Sequence, residues 1–316
     1  MRATAAAERT IVYDRPRLAR RVTHSMKSNG KKTAFVFAGG GSLGAIQVGM
    51  LRTLTAHGIV ADMVFGSSVG ALNGAYYAGT PTMEGVDRLE AIWRGLRRQD
   101  VFPVTWRTLL GLVLRHDFLV SADGLRKLID THLPYRNLED AKLPVHVITT
   151  DILTGKTAVL SKGPATSAIL ASAAIPAAFA PVNVEERYLA DGAISCNTPV
   201  RVAIAHGAER LFILPTGYAC ALDKPPRGAI ANALHALTLL IARQLLNELE
   251  GIGPSIEYYV VPPLCPLVAS PYDFSHTDAL IRRGVESTEE WIKNGGLEHP
   301  NVADQLSLHN HAHQPH

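Results

Sequence analysis

The chain has 316 residues, of which 47% are hydrophobic and 19% are charged, a composition typical of a globular protein with a sizeable buried core. The net charge is only +3, but residues 1–32 carry nine Lys and Arg against two acidic residues, which leaves about −4 for the remainder. No aromatic residues alternate with these charges, so nucleic-acid binding is not indicated, and the three widely spaced cysteines (Cys196, Cys220 and Cys265) indicate neither a disulfide framework nor a zinc site.

Residues 1–32 are predicted to form a flexible basic arm. The segment has no apolar core of the signal-peptide type, so nothing in it predicts export, and we expect the protein to reside in the cytoplasm. Its charge favours either a solvated tail or peripheral contact with anionic lipid, which would associate the protein with a membrane. The basic residues include Arg15, Arg17, Arg20, Arg21, Lys27, Lys31 and Lys32.

From Thr33 onward, short apolar runs alternate with longer helical patterns, which predicts an α/β protein with helices on both faces of a sheet. The predicted strands are Ala34–Ala38, Met63–Phe65, Val145–Thr150, Ala158–Leu160, Tyr188–Ala190, Leu211–Leu214 and Tyr258–Val261. The predicted helices are Gly44–His57, Val69–Ala78, Met83–Arg97, Ala122–His132, Thr166–Ala174, Thr198–His206, Ile230–Glu250 and Thr277–Ile292.

The first predicted strand, Ala34–Ala38, runs into three consecutive glycines and then into a predicted helix. Gly39, Gly41 and Gly44 match G-x-G-x-x-G, which in this context is typical of a dinucleotide site, so an oxidoreductase is one interpretation. That function needs an acidic residue at the end of the second strand to bind the ribose. Asp62 has suitable spacing but precedes the second strand, so its position disfavours a dinucleotide.

The second predicted strand ends in Gly66-Ser67-Ser68-Val69-Gly70, which is G-x-S-x-G between a strand and a helix. This context is typical of a nucleophile elbow, in which the central residue, Ser68, lies on a strained turn that exposes its hydroxyl. Gly66 and Gly70 are the small neighbours that such a turn requires. The following helix directs its N-terminal N–H groups toward developing negative charge, so the motif predicts a serine nucleophile.

An acyl-transfer site also needs backbone N–H groups that face the oxyanion. The triple glycine offers such donors with no side chains in the way. We predict that Gly39, Gly40 and Gly41 form this oxyanion hole, and Ser42 is the candidate for a fourth donor. Gly44 completes the motif where the helix begins.

An apolar stretch at residues 101–120 has charged residues on both sides. It contains Phe102, Trp106 and Leu109 together with further leucines and valines. Two interpretations stay open at this point. The stretch lines an acyl pocket or forms a lid against lipid, or it is another helix of the core.

A third glycine-marked turn, Asp191-Gly192-Ala193, follows a short predicted strand. The small residues allow close backbone approach and place the Asp191 carboxylate at a strand end, where it is a candidate base for the serine. A D-G pair is also common in ordinary turns. His206 and His276 are alternative bases, but neither follows a strand at a glycine-marked turn.

The C-terminal part of the chain contains a long helical pattern, Ile230–Glu250, whose apolar residues recur every three or four positions and indicate core packing. Residues 299–316 are rich in histidine and are predicted to form a disordered tail and not a metal site. The cysteines show no C-x-x-C spacing, so we predict no metal site.

At its three glycine-containing motifs the chain resembles the patatin-like phospholipase family, whose motifs are a glycine-rich oxyanion loop, G-x-S-x-G and D-G-A/G. All three occur in the family's order, at residues 39–44, 66–70 and 191–193. Two further segments, "ASAAIPAAFAPV" and "TTDILTGK", are also similar to the family. The resemblance covers roughly residues 33–214, and the three motifs together are more specific than any one of them.

The resemblance implies a three-layer α/β/α sandwich with a mostly parallel central sheet. It implies a Ser–Asp dyad, in which Ser68 is the nucleophile and Asp191 accepts its proton without a histidine. The implied activity is that of a serine acyl hydrolase acting on lipid esters, of the phospholipase A or lysophospholipase type, with no cofactor. We accordingly divide the chain into the basic arm, a catalytic domain at 33–214, a helical segment at 215–298 packed on that domain, and the tail.

Two positions depart from the family pattern. Leu43 stands where many members have Lys or Arg, and Val69 stands where the family often has alanine, so the preferred headgroup and acyl group stay open. The predicted partner is a lipid ester, with peripheral membrane contact through the arm or through residues 101–120. The alternative functions are a dinucleotide-binding oxidoreductase and a non-catalytic lipid-binding regulator.

Overall fold

The computed structural model describes residues 30–101, 120–176, 178–217, 229–267, 269–302 and 306. Its strands are β1 (Thr33–Phe37), β2 (Met63–Ser67), β3 (Val145–Asp151), β4 (Thr157–Leu160), β5 (Val182–Val184), β6 (Arg187–Asp191), β7 (Arg210–Leu214) and β8 (Glu257–Val260). Its helices are α1 (Gly44–Ala56), α2 (Val69–Gly79), α3 (Met83–Gly95), α4 (Arg98–Val101), α5 (Asp123–His132), α6 (Ala165–Ser172), α7 (Val200–Ala205), α8 (Ala229–Leu249) and α9 (Thr277–Lys293).

The described strands form one sheet, whose hydrogen-bonded neighbours follow the order β5-β6-β3-β2-β1-β7-β8, with β4 also paired to β3. The strands β3, β2, β1, β7 and β8 run parallel to one another, whereas β4, β5 and β6 pair in the antiparallel sense. The prediction of a mostly parallel central sheet is therefore confirmed.

Helices cover both faces of this sheet because alternate residues of its central strand point in opposite directions. Phe35 and Phe37 of β1 belong to a buried cluster with residues of α1, α2, α3, α5, α6 and α9. Ala34 and Val36 belong to a second cluster, on the other face, with residues of α7 and α8. The molecule is thus the predicted three-layer α/β/α sandwich.

The register of β3 brings the ends of two other strands together. Ser67, the last residue of β2, pairs with Ile148 of β3, and Asp191, the last residue of β6, pairs with the next residue, Thr149. The opposite edge of β3 is occupied by β4 at both positions. Strands β2 and β6 therefore share one edge of β3, and their C-terminal ends meet head to head. The G-x-S-x-G and D-G-A motifs lie at these two ends.

The predicted elements agree with the described ones to within two residues at each end. Among the described strands and α-helices, two were not predicted, the three-residue strand β5 and the four-residue helix α4. Leu245 and Leu249, from the predicted apolar stripe of α8, are buried as expected. The basic arm at 1–29, the apolar stretch at 102–119, Cys220 and most of the tail, at 303–305 and 307–316, lie outside the described residues. Among the described helices, none combines the length and the apolar character that a membrane span requires.

Helices α1 and α9 approach each other closely at two glycines. A Cβ atom added to Gly49 would lie 2.3 Å from the carbonyl oxygen of Ile281, and one added to Gly284 would lie 2.6 Å from that of Ile46. A clash with backbone atoms is not relieved by rotating a side chain. The spacing between these two helices therefore depends on both glycines.

We expect Gly49→Ala to lower the free energy of unfolding by about 1–3 kcal/mol, because the added methyl group must push α9 away from α1. Urea unfolding followed by circular dichroism measures the change. Gly95→Ala is the matched control, since a Cβ atom there would have no neighbour within 4 Å. Equal destabilisation by the two substitutions would contradict the close approach of the helices.

Candidate active site

Ser68 lies on a strained turn between β2 and α2, with φ 53° and ψ −125°. Residues other than glycine rarely adopt this conformation. A Cβ atom on Gly66 would lie 2.3 Å from the carbonyl oxygen of Gly70, and one on Gly70 would lie 2.4 Å from that of Phe37. Only glycine fits at both positions, so the turn has the geometry that G-x-S-x-G predicts.

The Ser68 hydroxyl donates a hydrogen bond of 2.7 Å to Oδ2 of Asp191, which lies 123 positions later in the chain. Both residues are buried, with 5% and 3% of their surfaces exposed. The other carboxylate oxygen, Oδ1, accepts a 2.8 Å hydrogen bond from the backbone N–H of Ala193. This second bond holds the carboxylate in the orientation that faces Ser68.

The turn after Asp191 requires glycine for a steric reason. A Cβ atom on Gly192 would lie 2.3 Å from the carbonyl oxygen of Ile148 and 2.5 Å from the hydroxyl of Ser67. The turn therefore lies directly against the ends of β3 and β2. The D-G-A sequence permits this close packing, which brings the carboxylate to the serine.

Burial raises the pKa of the Asp191 carboxyl to about 6, although the hydrogen bonds from Ala193 and Ser68 oppose this rise. A carboxyl group with this pKa is mostly ionised at pH 7. It is also a stronger base than a carboxylate in water, because its low-dielectric surroundings disfavour the charged form. Asp191 thus has both the position and the basicity to accept a proton from Ser68.

The glycine-rich loop has two engaged and two open backbone N–H groups. The N–H of Gly39 donates to the carbonyl oxygen of Asn197 at 3.2 Å, and the N–H of Ser42 donates to that of Pro271 at 2.8 Å. Gly40 and Gly41 have no hydrogen-bond acceptor among the described residues. Of the four N–H groups predicted as oxyanion donors, only those of Gly40 and Gly41 are therefore open to a ligand within the described part of the chain.

Two hydroxyl groups that were not predicted from the sequence hold the backbone of the site. Ser172, at the end of α6, accepts a 2.8 Å hydrogen bond from the N–H of Ser68 and donates one of 2.5 Å to the carbonyl oxygen of Ile148. The hydroxyl of Thr216 donates to the carbonyl oxygen of Gly39 at 2.7 Å. Ser172 belongs to the segment "ASAAIPAAFAPV", which carried part of the family resemblance, whereas no sequence signal marks Thr216.

An apolar pocket opens beside Ser68 and Gly41 and is partly open to solvent. Val101, at the start of the predicted apolar stretch, also lines it. Other residues of the pocket wall are Val69, Leu72, Ile92, Trp93, Leu125 and Phe179. A wall of this composition suits a hydrocarbon chain that extends from an ester held at the serine.

The histidines predicted as alternative bases do not contact the nucleophile. His206 directly follows α7, and the centre of its ring lies 4.7 Å from the centre of the His146 ring. Nε2 of His276 lies 3.5 Å from a carboxylate oxygen of Asp273. Neither histidine is a hydrogen-bond partner of Ser68.

The structure also bears on the cofactor interpretations. The carboxylate of Asp62 accepts a 2.8 Å hydrogen bond from the N–H of Thr33, at the start of β1. It therefore lies at the end of the strands opposite to the glycine-rich loop and is too far from that loop to bind a ribose beside it. Within the described ranges, no three His, Cys, Asp or Glu side chains converge on a position that could hold a metal ion.

The fold and this site together define the class of protein. It is an α/β/α sandwich in which a serine on a strained strand-to-helix turn is hydrogen-bonded directly to a carboxylate. The sequence profile of one family, described as patatin-like phospholipase, matches residues 35–204. These residues include all three motifs and more than half of the chain. The protein therefore belongs to the patatin-like phospholipase family, as its motifs predicted.

Several known proteins are similar to parts of this chain. Patatin-like phospholipase domain-containing protein 7 of Rattus norvegicus is 30% identical over 218 residues, which are 66% of this chain and 15% of that protein. Lysophospholipase NTE1 of Mycosarcoma maydis is 29% identical over 238 residues, 73% of this chain and 12% of that protein. The chain thus spans less than a fifth of the length of these relatives.

Among solved structures, VipD from Legionella pneumophila is similar with a TM-score of 0.46 and 14% sequence identity, covering 84% of this chain and 67% of VipD. Human GIVD cytosolic phospholipase A2, solved with methyl gamma-linolenyl fluorophosphonate, is similar with a TM-score of 0.43 and 11% identity. That similarity covers 87% of this chain and 59% of the phospholipase.

Proposed function

We propose that this protein hydrolyses lipid esters, with phospholipase A or lysophospholipase activity, through an acyl intermediate on Ser68. The observation that carries the proposal is the 2.7 Å hydrogen bond between Ser68 and Asp191, together with the position of Ser68 in the wall of an apolar pocket. Family membership and the names of the relatives, which include phospholipase and lysophospholipase, support the substrate class. The proposed chemistry requires no cofactor.

In the acylation step, the acyl chain of the substrate occupies the pocket and its carbonyl carbon lies next to Ser68 Oγ. Asp191 accepts the hydroxyl proton as Oγ attacks that carbon. Negative charge develops on the carbonyl oxygen, where the N–H groups of Gly40 and Gly41 stabilise it. Asp191 then donates the proton to the departing alcohol, and an acyl ester remains on Ser68.

Deacylation uses the same groups in the reverse sense. A water molecule loses a proton to Asp191 as its oxygen attacks the acyl ester, and the second oxyanion forms at Gly40 and Gly41. The bond to Ser68 Oγ breaks, Oγ takes the proton from Asp191, and the fatty acid leaves. One water molecule is consumed, and the enzyme returns to its starting protonation state.

The residues around Ser68 favour substrate recognition through the acyl chain and not through the phosphate headgroup. Position 43 is a buried leucine and not Lys or Arg, so the glycine-rich loop presents no cation to a phosphate there. Val69, the residue after Ser68, lines the pocket. A cytoplasmic location, with membrane contact through residues 1–32 or 101–120, completes the proposal.

Incubation with defined lipids in H2(18)O tests the proposed function. The full chain is mixed with lysophosphatidylcholine or phosphatidylcholine in detergent micelles, and released fatty acid is identified by mass spectrometry. We expect fatty acid with one heavy oxygen, released only by a protein that retains Ser68. Absence of fatty acid, together with micromolar binding of NAD or NADP, would favour the oxidoreductase instead.

The activity is expected to depend on pH through Asp191. Since the carboxyl must be ionised to accept a proton and its pKa is raised to about 6, kcat/KM should rise with pH through an apparent pKa of about 6. Below that value it should fall about tenfold per pH unit. A pH series with a soluble ester measures the profile, and a flat profile between about pH 5 and 8 would contradict Asp191 as the base.

A further inference from the structure

Three buried side chains form a continuous hydrogen-bonded chain behind the site. Trp93 Nε1 donates to Oδ1 of Asn73 at 2.8 Å. Asn73 Nδ2 donates to Oε1 of Gln47 at 2.9 Å and to the carbonyl oxygen of Gly44 at 3.0 Å. Asn73 and Gln47 have no exposed surface and Trp93 has 2%, so these bonds are shielded from water.

Gln47 ends this chain at the glycine-rich loop. Its Nε2 donates to the carbonyl oxygens of Ala38, at 2.7 Å, and Leu214, at 2.9 Å. Ala38 directly precedes Gly39, and Leu214 lies two residues before Thr216, whose hydroxyl bonds to Gly39. One amide group therefore fixes both backbone segments that flank the start of the loop.

Asn73 links the loop to the element that carries the nucleophile. It lies on α2, the helix that begins immediately after Ser68, while Gln47 lies on α1, which begins immediately after the loop. The bond between the two amide side chains thus joins these helices a short distance behind their N-terminal ends. Rigid helices transmit this spacing to the serine hydroxyl and to the open N–H groups of Gly40 and Gly41.

We propose that Gln47 and Asn73 are positioning residues that set the distance between the nucleophile and the oxyanion donors. This inference rests on the proposed function. All four side-chain N–H groups of the two amides donate hydrogen bonds. Those of Gln47 bond to the carbonyl oxygens at the ends of β1 and β7, and those of Asn73 bond to two acceptors on α1. Loss of the pair should therefore disturb the transition state more than the pocket that binds the acyl chain.

The test substitution is Gln47→Met, which keeps the side-chain volume and removes both N–H donors together with the Oε1 acceptor of the Asn73 bond. We expect kcat to fall about 10- to 100-fold, with KM within about threefold of the wild-type value. The affinity for an alkyl trifluoromethyl ketone, which forms a tetrahedral adduct with a serine, should fall by the same factor as kcat/KM. The affinity for free fatty acid, which occupies only the pocket, should stay unchanged.

Thr53→Val is the matched control on the same helix. Thr53 is buried, and its hydroxyl donates to the carbonyl oxygen of Val285 on α9 at 3.5 Å, away from the loop. We expect this variant to lose stability without a change in kcat. Asn73→Leu serves as a second test of the chain and should lower kcat and ketone affinity in the same way as Gln47→Met.

Wild-type kcat and ketone affinity in Gln47→Met would overturn the inference, and the proposed function would stand as long as hydrolysis still requires Ser68. Equal losses of fatty-acid affinity and ketone affinity would show that these hydrogen bonds serve general folding. A failure of both variants to fold would show the same, and either result overturns the inference. If the wild-type protein hydrolyses no ester, the proposed function fails, and the inference fails with it.

Discussion

Replacing Ser68 with alanine is expected to abolish labelling of the protein by a fluorophosphonate and to lower ester hydrolysis on the order of 10⁴-fold or more. The probe phosphonylates an activated serine oxygen, and the substitution removes that oxygen. Intact-mass spectrometry after labelling, followed by peptide mapping, measures the adduct and its position. Hydrolysis is measured with a soluble ester, so that membrane binding does not limit the rate.

Ser67→Ala is the matched control for this experiment. Ser67 is the neighbouring serine of the same motif, is fully buried and has no hydrogen-bond partner for its hydroxyl among the described residues. We expect the Ser67→Ala protein to keep both the label and the activity. Labelling that persists in Ser68→Ala would show that the nucleophile is another residue, and the proposed mechanism would then be wrong.

Replacing Asp191 with asparagine is expected to lower hydrolysis by a comparable factor, about 10⁴-fold. An amide side chain does not accept a proton at neutral pH, so the Ser68 hydroxyl would lack a base. The hydrogen bond from Ala193 to the side-chain oxygen can persist in the variant, which keeps the turn in place. Activity, probe labelling and thermal unfolding of the variant are measured together.

Stability separates this loss of activity from unfolding. Burial raises the pKa of Asp191 from 3.8 to about 6, so the folded protein binds this proton more tightly than the unfolded chain. The resulting stabilisation is fully present below about pH 4 and is lost as the pH rises through 6. We therefore expect Asp191→Asn to be as stable as the wild type at pH 7, or more stable by up to about 3 kcal/mol.

The histidines provide the control and the contradicting outcome for Asp191. His276→Ala should retain full activity, because His276 pairs with Asp273 and does not contact Ser68. Full activity of Asp191→Asn would remove the carboxylate from the mechanism. Loss of activity in His206→Ala or His276→Ala would then favour a histidine base.

Much of the fold follows from local sequence patterns. Strand β1 is an unbroken apolar run before three glycines, and α9 has an amphipathic pattern over Thr277–Lys293, so both were predicted to within two residues. The strand β5, Val182–Val184, was missed because its three residues carry no distinct pattern and its conformation depends on pairing with β6. Tertiary contacts, and not propensity, form this element.

What the sequence alone determined about this protein is which residues are candidates for its reactive groups. Ser68 and Asp191 each lie in a short motif whose glycines are required by contacts within a few residues or with an adjacent strand end, so local pattern was enough to single out both as candidates. Their direct hydrogen bond depends on β2 and β6 sharing one edge of β3, which is a property of the sheet.

The tertiary structure alone decided which backbone groups are free to act and what holds them. The sequence predicted Gly39 as a donor alongside Gly40 and Gly41, with Ser42 as a candidate fourth, but the carbonyl oxygens of Asn197 and Pro271 accept hydrogen bonds from the N–H groups of Gly39 and Ser42. In the same way, Ser172, Gln47 and Asn73 act on the site through hydrogen bonds to groups far away in the chain. The geometry of a hydrogen bond between distant segments depends on how helices and strands pack, and a local sequence pattern does not contain that information.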